Sequence, residues 1–163
     1  MGRFVLVGHS LGGVVVSEVA RRLGDRVAAR AYVAALVPAP GTNAAGIMFG
    51  ADLPVDEART TTEDRARQYF GNDMTDAQWA ELWAQFVPES PLLWNARSGD
   101  HRHAGPTVYV SMTRDVGMPQ DLTDRMIANL GPGVDRRVIG AGHIAMATKP
   151  RELAGVINDL VNC

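Results

Sequence analysis

The sequence has one cysteine, almost no net charge and no long apolar run, and each shortage excludes a class of protein. Cys163 is the last of 163 residues, so no internal disulfide can form, which is typical of a reducing compartment. A net charge of -2 lacks the basic excess of a nucleic-acid-binding domain. No apolar stretch approaches the ~20 residues of a membrane span, and no secretory signal is visible. We therefore expect a cytoplasmic protein that binds neither nucleic acid nor membrane.

Metal-binding patterns are scarce as well. His101 and His103 stand two residues apart in "GDHRH", without the partner ligands that a zinc site requires. We expect this stretch to be a solvated loop, and we expect the protein to hold no metal and no cofactor. The thiol of Cys163 is expected to be inert, because chain ends fray.

Short apolar runs alternate with helical patterns along most of the chain. The predicted elements are strands at 4–7, 31–37, 106–112 and 134–139 and helices at 11–23, 120–130 and 150–161. Apolar runs of this length between Gly and Pro signals are typical of buried strands. The alternation predicts an α/β fold, a short parallel sheet flanked by helices.

The segment 42–105 interrupts that alternation. It is rich in Gly, Thr and acidic residues, and its helical patterns lie at 63–69 and 76–86. Because no strand pattern divides these helices, we expect a helical cap insertion within a single domain. The insertion divides that domain into segments 1–41, 42–105 and 106–163.

The pentapeptide Gly8-His9-Ser10-Leu11-Gly12 lies between the first predicted strand and helix, which is the context of a nucleophile elbow. A serine on such a turn has a strained backbone, and side chains at Gly8 and Gly12 are expected to collide across it. The turn exposes the Ser10 hydroxyl. It also leaves the Leu11 N–H at a helix N-terminus, where this group can stabilise an oxyanion. We expect His9 to support the turn and not to act as a base.

A serine of this kind needs a base and a third group that orients the base. Asp115 follows the third predicted strand in "SMTRD", and His143 follows the fourth in "GAGH". The carboxyl ends of parallel strands meet at one edge of a sheet, so these side chains are expected to meet Ser10 there. We predict that His143 accepts the Ser10 proton and that Asp115 orients the imidazole. The nearby acids Asp121 and Asp124 fall in a predicted helix, where a solvated carboxylate is the ordinary role.

These motifs resemble the small plant-type esterase and hydroxynitrile lyase group of the α/β-hydrolase superfamily, with its bacterial relatives. The resemblance is carried by "VLVGHSLGG", "YVAALVPAPG", "YFGNDMTDAQWAELWAQFVPESP", "YVSMTRDVGMPQDLTDRMIANL" and "GHIAMATKPRELA". It implies a truncated α/β-hydrolase that starts at the elbow, triad positions for Ser10, Asp115 and His143, and a cap over the acyl pocket at 42–105. Lyases of the group tend to carry lysine after the histidine, so Ile144 favours an esterase.

We predict a serine hydrolase, a carboxylesterase that cleaves a small ester through an acyl-enzyme. Two alternatives stay open: a lyase or cyclase that uses the His143–Asp115 pair as a base on a carbonyl substrate, and a non-catalytic chain that needs a partner. The family carries several dozen residues before the elbow, including a second oxyanion N–H, so weakened activity is expected of a chain that starts at Met1. The first strand is then an exposed edge, and we expect it to pair in a homodimer or with a partner chain.

Overall fold

The computed structural model describes residues 2–101 and 103–161. Its strands are β1 (Phe4–His9), β2 (Val27–Val33), β3 (Thr107–Met112) and β4 (Asp135–Ile139). Its helices are α1 (Gly12–Leu23), α2 (Ala44–Phe49), α3 (Glu63–Phe70), α4 (Asp76–Trp83), α5 (Pro91–Asn95), α6 (Gln120–Leu130), α7 (Ala145–Thr148) and α8 (Pro150–Val161), with a short 3-10 helix at Gly24–Arg26. Cys163, predicted to be inert, lies outside the described residues.

The strands form one parallel sheet in the order β1-β2-β3-β4, which confirms the predicted architecture. Nearly all side chains of β2 and β3 are buried, whereas β4 is exposed except at its last residue. Strands covered on both faces bury nearly every side chain, and this is why neither central strand alternates between buried and exposed residues. Helix α1 packs against β1 and β2, and α8 packs against β2 and β4.

The second strand lies earlier in the chain than predicted, at Val27–Val33 instead of 31–37. The backbone leaves the strand at Ala34, whose φ of 42° is left-handed. The residues that follow are buried as completely as the strand itself. This segment packs against the elbow, where the Leu36 N–H donates to the Ser10 carbonyl at 2.9 Å. A buried loop is as apolar as a buried strand, so the sequence pattern could not locate the boundary.

The insertion between β2 and β3 carries the helices α2 to α5, which agrees with the predicted helical segment. It also holds an isolated antiparallel bridge between Arg59 and Glu89, which the sequence pattern did not predict. Helix α4 begins after Thr75, whose hydroxyl accepts from the Gln78 N–H while the Gln78 side chain accepts from the Thr75 N–H. The division into segments 1–41, 42–105 and 106–163 stays a prediction. In the described parts of the chain, no helix has both the length and the apolar character needed to cross a bilayer.

Candidate active site

The serine of the elbow lies in the turn between β1 and α1. Its φ of 51° is in the left-handed region, which residues other than glycine seldom adopt. The Ser10 N–H donates to the Val33 carbonyl at 3.1 Å, and the Ser10 carbonyl accepts from the N–H groups of Gly13 at 3.1 Å and Leu36 at 2.9 Å. These bonds to β2, to α1 and to the segment after β2 hold the strained residue in place.

Glycine is required at one of the two predicted elbow positions and not at the other. A Cβ atom at Gly8 would lie 2.6 Å from both the Gly12 carbonyl oxygen and Val16 Cγ2. The prediction for Gly12 is wrong, because a Cβ atom there would meet no neighbouring atom of the described residues within 4 Å. Gly13 is the second glycine that the packing requires, since a Cβ atom there would collide with the Leu36 carbonyl. The first turn of α1 therefore packs closely on the segment that follows β2.

The predicted base and acid lie side by side after β4 and β3. The His143 Nδ1–H donates to Asp115 Oδ2 at 2.7 Å, and the exposed fractions of the two side chains are 3% and 0%. Nδ1 must be the donor, because an ionised carboxylate only accepts. Asp115 Oδ1 accepts from the backbone N–H groups of Gly117 at 2.8 Å and Met118 at 2.9 Å. Both oxygens of the carboxylate are thus held, and the imidazole has one fixed orientation.

The second ring nitrogen of His143 is free. Nε2 is buried, and no atom of residues 2–101 and 103–161 forms a hydrogen bond with it. Ser10 and His143 line the same cavity. Hydrogen bonds between a nucleophile and its base are often long in the absence of substrate. The structure therefore places Ser10, Asp115 and His143 after the carboxyl ends of β1, β3 and β4, with His143 bonded to Asp115 and lining the same cavity as Ser10.

His9 packs directly on His143. Its Nε2–H donates to the His143 carbonyl at 2.9 Å, and the two ring centroids are 4.7 Å apart. Burial, followed by the neighbouring charge of His143, lowers the pKa of His9 to about 4. His9 is therefore neutral near pH 7 and contributes packing and one hydrogen bond, which is the role that the sequence suggested.

The cavity beside Ser10 and His143 has a volume of about 350 Å³. Aromatic side chains of the insertion form much of its wall: Phe49, Tyr69, Phe70, Trp83, Phe86 and Trp94. The Phe70 ring also packs on the His143 imidazole, with centroids 5.1 Å apart. The insertion therefore covers the candidate site and gives it an apolar surface, as pockets for small molecules usually have.

Two cations, Arg59 and Arg65, lie in this apolar wall, and Arg59 belongs to a cluster of contacts. The Arg59 guanidinium lies 4.4 Å from the Phe49 ring centroid and 5.0 Å from that of Trp94. Arg59 Nη1 is 3.5 Å from Glu89 Oε2, which also accepts from Trp94 Nε1 at 3.1 Å. The backbones of Arg59 and Glu89 exchange hydrogen bonds of 2.8 and 2.9 Å. Sequence reasoning missed this cluster, because its members are far apart in the chain and no motif joins them.

The histidine-rich stretch "GDHRH" is not the solvated loop that we predicted. His101 is buried, and its Nε2–H donates to the Pro38 carbonyl at 2.6 Å. Burial lowers the pKa of His101. The buried Arg30 guanidinium donates to the His101 carbonyl at 2.9 Å, so this loop is fixed to β2. Within the part of the chain that the structure describes, no group of three or more His, Cys, Asp or Glu side chains could hold a metal ion.

The sequence matches proteins named as esterases and hydrolases over most of its length. A model of the α/β hydrolase family matches residues 1–156. The probable esterase PIR7A of Oryza sativa subsp. indica is 28% identical over 184 residues, an alignment that covers 95% of this chain and 69% of the rice protein. The pyrethroid hydrolase of Sphingobium wenxiniae is 27% identical over 184 residues, which cover 99% of this chain and 64% of that protein.

Solved structures give the same result for the fold. A pyrethroid hydrolase from Sphingobium faniae superposes with a TM-score of 0.79 at 23% identity, over 100% of this chain and 72% of that one. A methylesterase from Arabidopsis superposes with a TM-score of 0.78 at 21% identity, over 99% of this chain and 70% of that one. Both likenesses confirm the predicted fold, and the family match extends over nearly all of the sequence. The chain therefore belongs to the α/β hydrolase family.

Proposed function

We propose that this protein is a serine esterase that cleaves a small carboxylic ester through an acyl-enzyme, with Ser10 as nucleophile, His143 as base and Asp115 as the group that orients the base. The class of enzyme is supported by relatives named as an esterase and a pyrethroid hydrolase. The observation that carries the assignment of residues is the 2.7 Å bond from His143 Nδ1 to Asp115 Oδ2, which leaves Nε2 unpartnered among the described residues at the cavity shared with Ser10.

The proposed reaction follows from the donors and acceptors of these residues. Ser10 Oγ attacks the ester carbonyl carbon while its proton moves to His143 Nε2, and Asp115 stabilises the imidazolium that forms. The Leu11 N–H, at the beginning of α1, has no acceptor within the helix and donates to the oxyanion. The proton then passes from Nε2 to the departing alcohol. A water molecule, deprotonated by His143 Nε2, then attacks the acyl carbon. The bond to Ser10 Oγ breaks, Oγ takes the proton back from Nε2, and the acid is released.

The shape of the cavity supports a substrate with an apolar group. Its volume of about 350 Å³ and its aromatic wall suit a small molecule of modest size. Arg59 pairs with Glu89 at 3.5 Å, and Arg65, the second cation of the lining, lies over the Tyr69 ring. We therefore propose an ester whose apolar portion fits against the aromatic side chains under the insertion.

The non-hydrolytic alternative makes a different use of the same residues. A lyase or cyclase would need the His143–Asp115 pair but not the Ser10 hydroxyl. Ile144, directly after the base, offers no cation to a departing anion. The names of the relatives favour neither this alternative nor a non-catalytic chain.

Labelling with a fluorophosphonate probe tests the proposal, because such probes react only with an activated serine. We expect labelling of the wild-type chain and none of Ser10→Ala or His143→Ala. Ser17→Ala is the matched control: Ser17 lies in α1 and bonds to the Tyr32 hydroxyl at 3.0 Å, away from the cavity. Labelling that persists in Ser10→Ala would contradict the assignment, and proton-transfer chemistry without labelling would favour the lyase or cyclase.

We further propose that β1 pairs with a strand of a second copy or of a partner chain. Among the described residues β1 is bonded only to β2, and its side chains Phe4 and Val7 are exposed. Unpaired apolar edges attract other strands. Light scattering on the wild type and on Val7→Lys tests this: we expect the charged residue to lower the mass, and a wild-type monomer would refute the pairing. The cytoplasmic location predicted from the cysteine content stays a prediction.

A further inference from the structure

The turn between α3 and α4, residues 71–74, contacts the loop that carries His143. We call these residues the cap turn. The Asp73 side chain in it is only 4% exposed. Asp73 Oδ2 accepts from the Gly142 N–H at 2.7 Å and from the Thr148 hydroxyl at 3.2 Å. Gly142 directly precedes His143, so one carboxylate oxygen of the insertion fixes the peptide unit next to the base.

The same turn also contacts the loop that carries Asp115. Asn72 Nδ2 donates to the Arg114 carbonyl at 2.8 Å, and Arg114 Nη2 lies 3.5 Å from Asp73 Oδ2. Arg114 in turn donates to the loop before the base, from Nη2 to the Gly140 carbonyl at 2.5 Å and from its N–H to the Ala141 carbonyl at 2.9 Å. The adjacent side chains of Asn72 and Asp73 thus contact both Arg114, which precedes Asp115, and Gly142, which precedes His143.

The approach between the cap turn and the loop of the base is close. A Cβ atom at Gly142 would lie 2.5 Å from Asp73 Oδ1 and 2.6 Å from Asn72 Oδ1, so a larger residue there would displace these two side chains. Asp73 Oδ1 is buried and has no hydrogen-bond partner within the described ranges. A buried carboxylate oxygen without a partner lowers stability. The contacts that Asp73 Oδ2 makes with the loop of the base therefore come with a cost at Oδ1.

The cap turn is itself held from the side of the insertion. Trp79 of α4 packs on Gly71, where a Cβ atom would collide with its ring. The Trp79 Nε1–H donates to Glu63 Oε1 at 3.0 Å, which fastens α4 to the start of α3. Phe70, the last residue of α3, packs on the His143 ring. The cap turn is therefore packed against α4 on one side and against the loop of the base on the other.

We infer that Asp73 is a positioning residue of this esterase, which keeps His143 and Asp115 aligned through the backbone of Gly142 and the side chain of Arg114. This inference rests on the proposed function. Asp73 touches neither the base nor the acid, so its effect is on geometry. A misplacement of reacting groups by about 1 Å can lower a rate about 10²-fold, which is why the two loops need a common support.

Steady-state hydrolysis of p-nitrophenyl acetate tests the inference in the full chain. We expect Asp73→Ala to lower kcat about 10- to 100-fold with KM changed less than about twofold. Asp73→Asn should recover part of kcat, because its amide oxygen still accepts from the Gly142 N–H. Asp76→Ala is the matched control, since Asp76 is exposed and pairs with Arg67 at the surface. An unchanged kcat in Asp73→Ala would overturn the inference.

A second readout separates positioning from a general loss of structure. The His143 Nδ1–H bonded to Asp115 gives a downfield proton resonance, which does not depend on turnover. We expect this resonance to shift or broaden in Asp73→Ala and Asp73→Asn and to stay in place in Asp76→Ala. A kcat loss that comes with an equal rise in KM and an unmoved resonance would overturn the inference. If the wild type fails to react with the phosphonate probe, the esterase proposal fails, while the resonance still tests Asp73.

Discussion

The two halves of the proposed triad are supported in different ways. Asp115 and His143 lie buried between β3, β4 and the insertion, and side chains and backbone groups from several segments bond to them or to their neighbours. Ser10 follows β1, which is bonded to β2 alone among the described residues, and backbone bonds hold its left-handed conformation. The position of the base thus depends on the cap, whereas the position of the nucleophile depends on the close packing of β1, α1 and the segment after β2.

The strongest test of the acid–base half is Asp115→Asn. An asparagine that accepts from Gly117 and Met118 presents its amide to His143 and favours the wrong imidazole tautomer. We expect kcat for ester hydrolysis to fall by about 10⁴-fold, as for the corresponding change in a serine protease. Asp121→Asn in α6 is the control and should leave kcat unchanged. A small change in kcat for Asp115→Asn would mean that the bond between Asp115 and His143 does not orient the imidazole for catalysis.

The strongest test of the nucleophile half is Gly8→Ala. Its methyl group would lie 2.6 Å from the Gly12 carbonyl and from Val16 Cγ2, and overpacking of this kind costs about 1–3 kcal/mol. We expect urea denaturation to give a free energy of unfolding lower by that amount. Gly12→Ala is the matched control, and we expect it to change stability by less than about 1 kcal/mol, because the space there is open and alanine favours helix. Equal losses in the two variants would refute the steric account of the elbow.

His9 joins the two halves, and its titration should be visible in the stability of the fold. Its pKa is about 4 in the folded protein and near the ordinary 6.5 in the unfolded chain. The unfolded chain therefore binds more protons between these values, and the free energy of unfolding should fall as the pH drops from about 6.5 to 4. Urea unfolding across this range should show a shallower pH dependence for His9→Asn. An unchanged slope would show that His9 ionises normally in the fold.

The smallest effect is expected at the wall of the cavity, away from both halves. Arg59→Ala removes the stacking on Phe49 and Trp94 and the partly exposed pair with Glu89. Contacts of this kind contribute about 0.5–1 kcal/mol, and thermal unfolding should show a loss of that size. Arg97→Ala, which breaks an exposed ion pair without aromatic contacts, should have a smaller effect. A larger loss in the control would mean that the stacking adds nothing.

The sequence predicts helix bounds correctly where proline or glycine stands at the end of a helix. Helices α6 and α8 have the predicted bounds, because Pro119, Gly131 and Pro150 mark their ends. Helix α7 was missed, since four residues are too few to show a period. The second strand was placed too late, because the buried segment from Ala34 to Val37 is as apolar as a strand. The period of the apolar residues indicates which side chains are buried. It locates the end of a helix or strand only where a proline or glycine lies beside that end.

The site was predictable where it follows strand ends and unpredictable where it depends on contacts across the insertion. Ser10, Asp115 and His143 each follow a strand of one parallel sheet, so chain order alone brings them to one edge. Asp73 meets Gly142 across 69 positions, and Arg59 meets Glu89 across 30. Neither pair has a motif: the first depends on how the insertion docks on the loop after β4, and the second on how the insertion folds on itself. The Gly12 prediction was wrong for a different reason: the close contact lies one residue later, between Gly13 and the Leu36 carbonyl in the segment after β2.

The cap turn has a consequence for how the specificity of this enzyme can be altered. The insertion contains side chains that line the cavity away from the cap turn, such as Met48 and Phe49, and side chains that contact the loops of the acid and base, such as Asn72 and Asp73. Replacing the whole insertion with that of another hydrolase would exchange both sets together and would lose turnover along with the old substrate. Randomising the cavity-lining set while keeping residues 70–74 leaves the catalytic machinery intact, so a change of substrate range can be selected on its own.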